Sequence, residues 1–244
     1  MKVLLGLILL FVCSKWSHAQ LEISSETTKV QRSHKQSENI SETAFFVAAN
    51  WSQTSRELSS NDGLFGEELG KRAEEDVLNT WSYFLGVRGA MKHGLFWEGG
   101  MAYLQNGESY RYQDPQTDST FTYKTTYSYI GMPLKLNYSY GNAFRVYCGA
   151  GLLPQLFFGY KQEQQWSTPD NGSSSSDISS KSGYNTFVLS AIASVGVDIS
   201  VHRNWRLFLA PELRWQLNSS YSKQDAYIHK ARAYGVTFGL IRNL

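Results

Sequence analysis

Cysteine is nearly absent from this sequence. There are two in 244 residues, Cys13 and Cys148. Cys13 sits in an N-terminal apolar segment, which leaves Cys148 alone in the remainder. An internal disulfide framework and a cysteine-based metal site are both excluded. Long apolar runs are missing too: no stretch approaches the roughly 20 apolar residues that a membrane helix needs. Charge of one sign is not in excess, with 23 Lys and Arg against 21 Asp and Glu. Nucleic acid is therefore not an expected partner. Proline is scarce, five in all, yet Pro133, Pro154 and Pro211 fall inside apolar-patterned segments.

The N-terminus reads as a secretion signal. Lys2 supplies the positive start, Val3–Val12 an apolar core, and Ser17-His18-Ala19 a small-x-small cleavage site, so residues 1–19 are expected to be removed. Cys13 follows Val12, where lipoprotein processing wants a small side chain, and a lipid anchor is disfavoured. Removal takes Lys2 and Lys15 and no acid, leaving 21 basic against 21 acidic residues. Residues 20–42, rich in Ser, Thr, Glu and Lys, read as a flexible polar leader. The rest is enough for one domain, residues 43–244.

What the remainder does contain is period-2 alternation. From Tyr129 to Gly151, Ile130, Met132, Leu134, Leu136, Tyr138 and Tyr140 share one face, and Gly131, Lys135, Asn137 and Ser139 the other. After a Gly141-Asn142 turn, Phe144, Val146, Cys148, Ala150 and Leu152 oppose Arg145, Tyr147, Gly149 and Gly151. Such alternation means strands with one apolar face. A second face of glycine and charge suits a barrel with lipid outside and a polar inside. Eight segments carry the pattern: 43–54, 80–91, 95–112, 124–140, 143–161, 184–200, 205–218 and 231–243. The fold expected is all-β, an eight-stranded antiparallel up-and-down transmembrane barrel. Aromatics make up 14% of the chain, and Tyr and Trp favour membrane interfaces.

The connections alternate in length. Lys92-His93-Gly94, Gly141-Asn142-Ala143 and His202-Arg203-Asn204 are short, whereas 55–79, 113–123, 162–183 and 219–230 are long. Outer-membrane barrels place long loops outside the cell and short turns in the periplasm, so both termini are expected to be periplasmic. The segment SSSSDISSKS within 162–182 is of low complexity and expected to be mobile. Glu67, Glu68, Lys71, Arg72, Glu74 and Glu75 suggest a short solvated helix in 55–79. Each of the three embedded prolines removes a ladder donor, so bulges or locally broken pairing are expected there.

The segment YSYIGMPLKLNYSYGNAFRVYCGAGL is similar to the central hairpin of the PorT-like outer-membrane β-barrel domain family. Met132-Pro133-Leu134 and Asn137-Tyr138 stand in its first strand. Arg145, Tyr147, Gly149 and Gly151 stand in its second, and Pro211-Glu212-Leu213-Arg214 also fits. The resemblance covers about 43–244. It implies a small barrel in a Gram-negative-type outer membrane and is nearly silent about activity.

Eight charges fall on inward positions: Arg88, Glu98, Lys135, Arg145, Asp198, Arg206, Glu212 and Arg214. Unpartnered buried charge is costly, so they are expected to pair. A three-residue turn after Met91 sets Arg88 opposite Glu98. These charges read as a structural filling rather than an ion path, since eight strands enclose little more than their own side chains. No catalytic, cofactor or metal residues are assigned. His34, His93, His202 and His229 are scattered without ligand spacing. His229 and Asp225 with loop serines make only a weak hydrolase constellation. Asn-x-Ser triplets at Asn39, Asn50, Asn137, Asn171 and Asn218 are attributed to chance.

The function expected is therefore a non-catalytic integral outer-membrane protein, structural or interaction-based, with membrane lipid and envelope or secretion-complex proteins as partners and a monomeric state. The alternative is a narrow passive channel for ions or small solutes. A lipid-acting barrel enzyme and a soluble lipocalin-type barrel rank below these; lipocalins invert the observed pattern.

Overall fold

A computed structural model describes residues 43–60, 75–168, 172–222 and 227–244. The expected signal and leader lie outside the described residues. So do Glu67, Glu68, Lys71, Arg72 and Glu74 of the anticipated helix, and Asp225; Glu75 opens a strand.

Ten strand segments follow one another: β1 (Thr43–Ser60), β2 (Glu75–Ala90), β3 (Leu95–Gln113), β4 (Thr120–Gly131), β5 (Leu134–Gly141), β6 (Phe144–Thr168), β7 (Gly172–Ser180), β8 (Phe187–His202), β9 (Trp205–Gln216) and β10 (Tyr227–Asn243). They make eight staves. β4 and β5 are one stave interrupted at Met132-Pro133, because both pair with β3 on one side and β6 on the other. β7 pairs with the end of β6 and extends it beyond the ring. All pairing is antiparallel, β6 meets β8, and β1 closes the ring against β10 from Ala44↔Asn243 to Ser60↔Tyr227. An eight-stranded up-and-down barrel results, and closure satisfies the backbone that lipid would leave without partners.

Alternation decides which side chains meet lipid. Val47, Leu85, Met101, Leu136, Val195 and Leu213 are among the exposed outer residues, with Cys148 on the same face. Toward the long loops the band ends at Trp51, Trp81, Tyr103, Ile130, Leu217 and Tyr234. Outward positions then become Gln53, Asn79, Gln105, Ser128 and Arg232. The strands therefore continue past the apolar band into water.

This continuation corrects several expected boundaries. Within the segment 162–183, the residues up to Thr168 continue β6 and Gly172–Ser180 return along it as β7, Tyr160 facing Ser180 and Thr168 facing Gly172. Its near-uniform polarity hides a strand, because above the membrane both faces are wet and alternation disappears. β1, β2 and β4 also extend into segments read as loops.

The prolines break pairing without inserting residues. Met132 N donates to Pro154 O at 2.9 Å, while Met132 and Pro133 leave both neighbouring ladders. Pro154 keeps register with Leu189. At Pro211 the β8 ladder lapses between Ser194↔Glu212 and Val197↔Leu209. Register shifts occur elsewhere, between Val77 and Tyr83, at Ser128/Tyr129 and between Ser200 and His202. In the tight turn after β2, Gly94 has φ +79°, and an added Cβ would lie 2.5 Å from Ser139 O, so glycine is required there.

Candidate functional site: the barrel lumen

Three layers fill the lumen. The first lies toward the short turns. Arg88 and Glu98 face each other across β2 and β3, and Arg88 Nε donates to Glu98 Oε1 at 2.8 Å. The opposite arm of Arg88, Nη1, reaches across to Asp198 Oδ2 on β8, also 2.8 Å. Glu98 receives Lys135 Nζ at 2.7 Å, and Arg145 Nε lies 3.8 Å from Asp198. The guanidinium of Arg88 sits 4.6 Å from the centroid of the Phe96 ring. Five of the eight sequence-derived charges thus form one network rather than a set of pairs. Arg206 lies nearer the turns and donates to the Asn142 carbonyl at 3.1 Å.

The second layer is mixed. Arg214 donates to Ser52 at 2.9 Å and lies 3.8 Å from Glu212, which accepts from Thr237 at 3.1 Å. Beside these groups Phe46, Phe84, Phe208, Leu104, Leu153 and Ile192 are buried. This apolar share of the interior was missed in the sequence reading. Its signal was available, since Phe46, Phe84 and Phe208 occupy inward parity. Voids in these two layers are small: about 30 Å³ beside Arg88 and Asp198, and about 10 Å³ beside Glu98 and Glu212. Asn50 and Asn137 are buried here, which excludes both as glycan acceptors.

The third layer lies beyond the apolar band and was also missed. Arg56 bonds Glu75 and lies 3.7 Å from Glu108, whose Oε1 accepts from Tyr127 at 3.1 Å. Arg56 and Glu108 continue the inward parity of β1 and β3 past where the apolar contrast stops. Above them opens a cavity of about 330 Å³, lined by Tyr123, Tyr127, Tyr160, Tyr184 and Tyr221 among others. Burial holds the Glu108 carboxyl up at about 7 despite the neighbouring Arg56. His229 packs between Tyr127 and Tyr221, ring centroids 5.1 and 4.9 Å away, and is buried with both ring nitrogens lacking a hydrogen-bond partner among the described residues. No group of three His, Cys, Asp or Glu side chains gathers at metal-binding distance among the described residues. His93 lies in the turn after β2 and His202 ends β8.

A closed ring with lipid-facing aliphatics, an aromatic boundary and a charged interior defines an integral membrane β-barrel. The chain belongs to the outer membrane protein beta-barrel domain family, whose model matches residues 82–222, and its site is the outer membrane. Solved structures similar to it include Neisserial surface protein A, at 16% identity over 82% of this chain and 99% of that one, TM-score 0.38. OprG of Pseudomonas aeruginosa is similar at 11% identity over 84% and 96%, TM-score 0.42. The outer membrane protease OmpT of Escherichia coli is similar at 9% identity over 83% and 97%, TM-score 0.34. No curated protein matches the sequence significantly.

Proposed function

We propose that this protein is a non-catalytic barrel with a sealed lumen, acting as a structural or interaction component of the outer membrane at its long-loop end. One observation carries the reading: the Arg88, Glu98, Lys135, Asp198 and Arg145 network spans the lumen from β2 to β8 and leaves voids of about 30 Å³ and 10 Å³. A void of that size holds about one water, not a hydrated ion. The PorT-like placement rests on the hairpin motif given above. Periplasmic termini follow from the layout, since Ala44 and Asn243 pair at the short-turn end. A closed ring offers no free lateral edge within the band, which supports a monomer in lipid, with envelope or secretion-complex proteins reaching it through the exposed end.

Planar-bilayer recording tests the reading. Purified protein is expected to give no sustained unitary conductance. Stable openings whose selectivity changes in Arg88→Met would establish a narrow channel and overturn the sealed scaffold.

A further inference from the structure

A trough runs along the lipid-facing side of the seam that closes the barrel. Ala49 of β1 is small and stands between two rings, facing Tyr83 on β2 and Phe238 on β10. Its methyl group leaves a depression of about 540 Å³, lined by those three residues with Val47, Leu207 and Leu240. Toward the short turns the trough leads to Arg242. Leu240 pairs with Val47 on one side and Leu207 on the other, and the next outward step of the same ladders is Arg242 with Phe45 and Trp205. Two residues along a strand is roughly 7 Å. Arg242 is exposed, with its guanidinium carbon 5.6 Å from the centroid of the Trp205 ring. That contact holds it on the outside of the barrel, and it makes no ion pair among the described residues.

Two more cations share this rim. Asn243 N donates to Asn204 O at 2.9 Å, so the end of β10 is tied to the turn that carries Arg203. Lys92 lies in the turn after β2, whose neighbour is β1. Arg203 and Lys92 are exposed, and neither makes an ion pair among the described residues. No Asp or Glu occupies an outward or turn position at this end among the described residues, and the remaining short turn, Gly141-Asn142-Ala143, has no charged residue. The outer cations are thus gathered on the staves that bear the trough. A trough inside the lipid band takes a hydrocarbon chain, and cations at its mouth with no acid beside them select a headgroup of net negative charge. We infer that β9, β10, β1 and β2 form a binding site for one anionic phospholipid, its phosphate at Arg242 and Arg203 and one acyl chain lying over Ala49. The inference goes beyond the sealed-scaffold reading and holds whichever side of the membrane the short turns face.

The test is native mass spectrometry of the folded full-length protein, released from detergent micelles doped with phosphatidylglycerol or with phosphatidylcholine of the same acyl chains. Each basic group beside an anionic lipid contributes about fivefold in affinity. Phosphatidylglycerol is therefore expected to be retained roughly tenfold or more over phosphatidylcholine, as a single adduct. Arg203→Gln/Arg242→Gln should abolish that preference. Ala49→Leu, which fills the trough between Tyr83 and Phe238, should lower retention of the phosphatidylglycerol adduct with the arginines intact. Lys124→Gln, exposed on β4 at the opposite end, should change nothing. Glycerol phosphate, the headgroup without chains, should not bind saturably. Equal retention of the two lipids by the unmodified protein overturns the site, because Arg242 would then only reach for the interface as any long cation does. So does a preference unchanged in the arginine double variant, retention unchanged in Ala49→Leu, or a loss as large in Lys124→Gln. Saturable glycerol phosphate without a lipid adduct would show a phosphate site only and also overturns it. Should the arginine double variant lose the heat-dependent gel shift of the folded barrel, the headgroup comparison on the unmodified protein and the Ala49→Leu result decide.

Discussion

Replacing Arg88 with methionine removes the one cation that bridges two carboxylates in the inner lumen, Glu98 and Asp198, each 2.8 Å away. The two acids are left in different positions. Glu98 keeps Lys135 at 2.7 Å, whereas Asp198 keeps only the longer contact with Arg145, 3.8 Å, among the ion pairs described. Opposite charges about 4 Å apart interact by about 4 kcal/mol at an effective dielectric of about 20, and breaking a buried pair typically costs about 3–5 kcal/mol. Arg88→Met is therefore expected to lose about 3–5 kcal/mol. Adding Asp198→Asn removes the stranded acid and should recover half or more of the loss. Adding Glu98→Gln instead should recover less, because it strands Lys135, whose partner Glu98 is, and leaves Asp198 unrelieved. Urea unfolding in detergent micelles, followed by tryptophan fluorescence and gel mobility, gives the three values. The ordering is the decisive result. Equal recovery by the two double variants, or a single-variant loss below about 1 kcal/mol, would show a lumen wet enough to screen these charges and would refute the network's structural role.

Three further outcomes are expected. Cys148, exposed on the lipid-facing side between Tyr138 of β5 and Val195 of β8, should react with a lipid-soluble maleimide in proteoliposomes and resist a water-soluble one; rapid aqueous labelling would reverse inside and outside. Gly86→Ala should cost about 1–3 kcal/mol in the same urea assay, since the new Cβ would lie 2.4 Å from Gly99 O and 2.8 Å from the Phe46 ring, and a neutral result would show the strands can part there. The Glu108 carboxyl, raised from 4.5 to about 7, binds its proton more tightly folded than unfolded. Its contribution is thus full below about 4.5 and is lost as pH rises through 7. Wild type should lose up to about 3 kcal/mol relative to Glu108→Gln between pH 5 and 8; parallel stability curves for the two proteins would refute this.

Alternation made the facing of the barrel legible, because lipid and lumen demand opposite chemistry on successive residues. Trp97, Leu134 and Leu209 point out and Glu98, Lys135 and Ala210 point in, as the pattern requires. The Arg88 and Glu98 register was also legible, since a three-residue turn fixes it. Asp198 was legible as an inward charge but not as a partner of Arg88: it lies 110 residues away, and only closure of the ring brings β8 across from β2. The outer cavity escaped notice for a different reason. Past Trp51 and Tyr103 water replaces lipid, the outward residues turn polar, and Arg56 and Glu108 lose the contrast that marks a strand. β7 shows the extreme case, with Ser173–Ser176 giving no alternation at all while still holding register with β6.

The seam between β1 and β10 carries a consequence for assembly. It joins Ala44 to Asn243, so the first stave waits for the last before either has its second neighbour. Every intermediate on the way is an open ribbon with two unpaired rims, which lipid cannot solvate and other chains can template. Such contacts, nearly 200 residues apart in sequence, are the slowest kind to form. A chain shortened within β10 would accumulate as a sticky, unclosed species, not as a slightly smaller barrel.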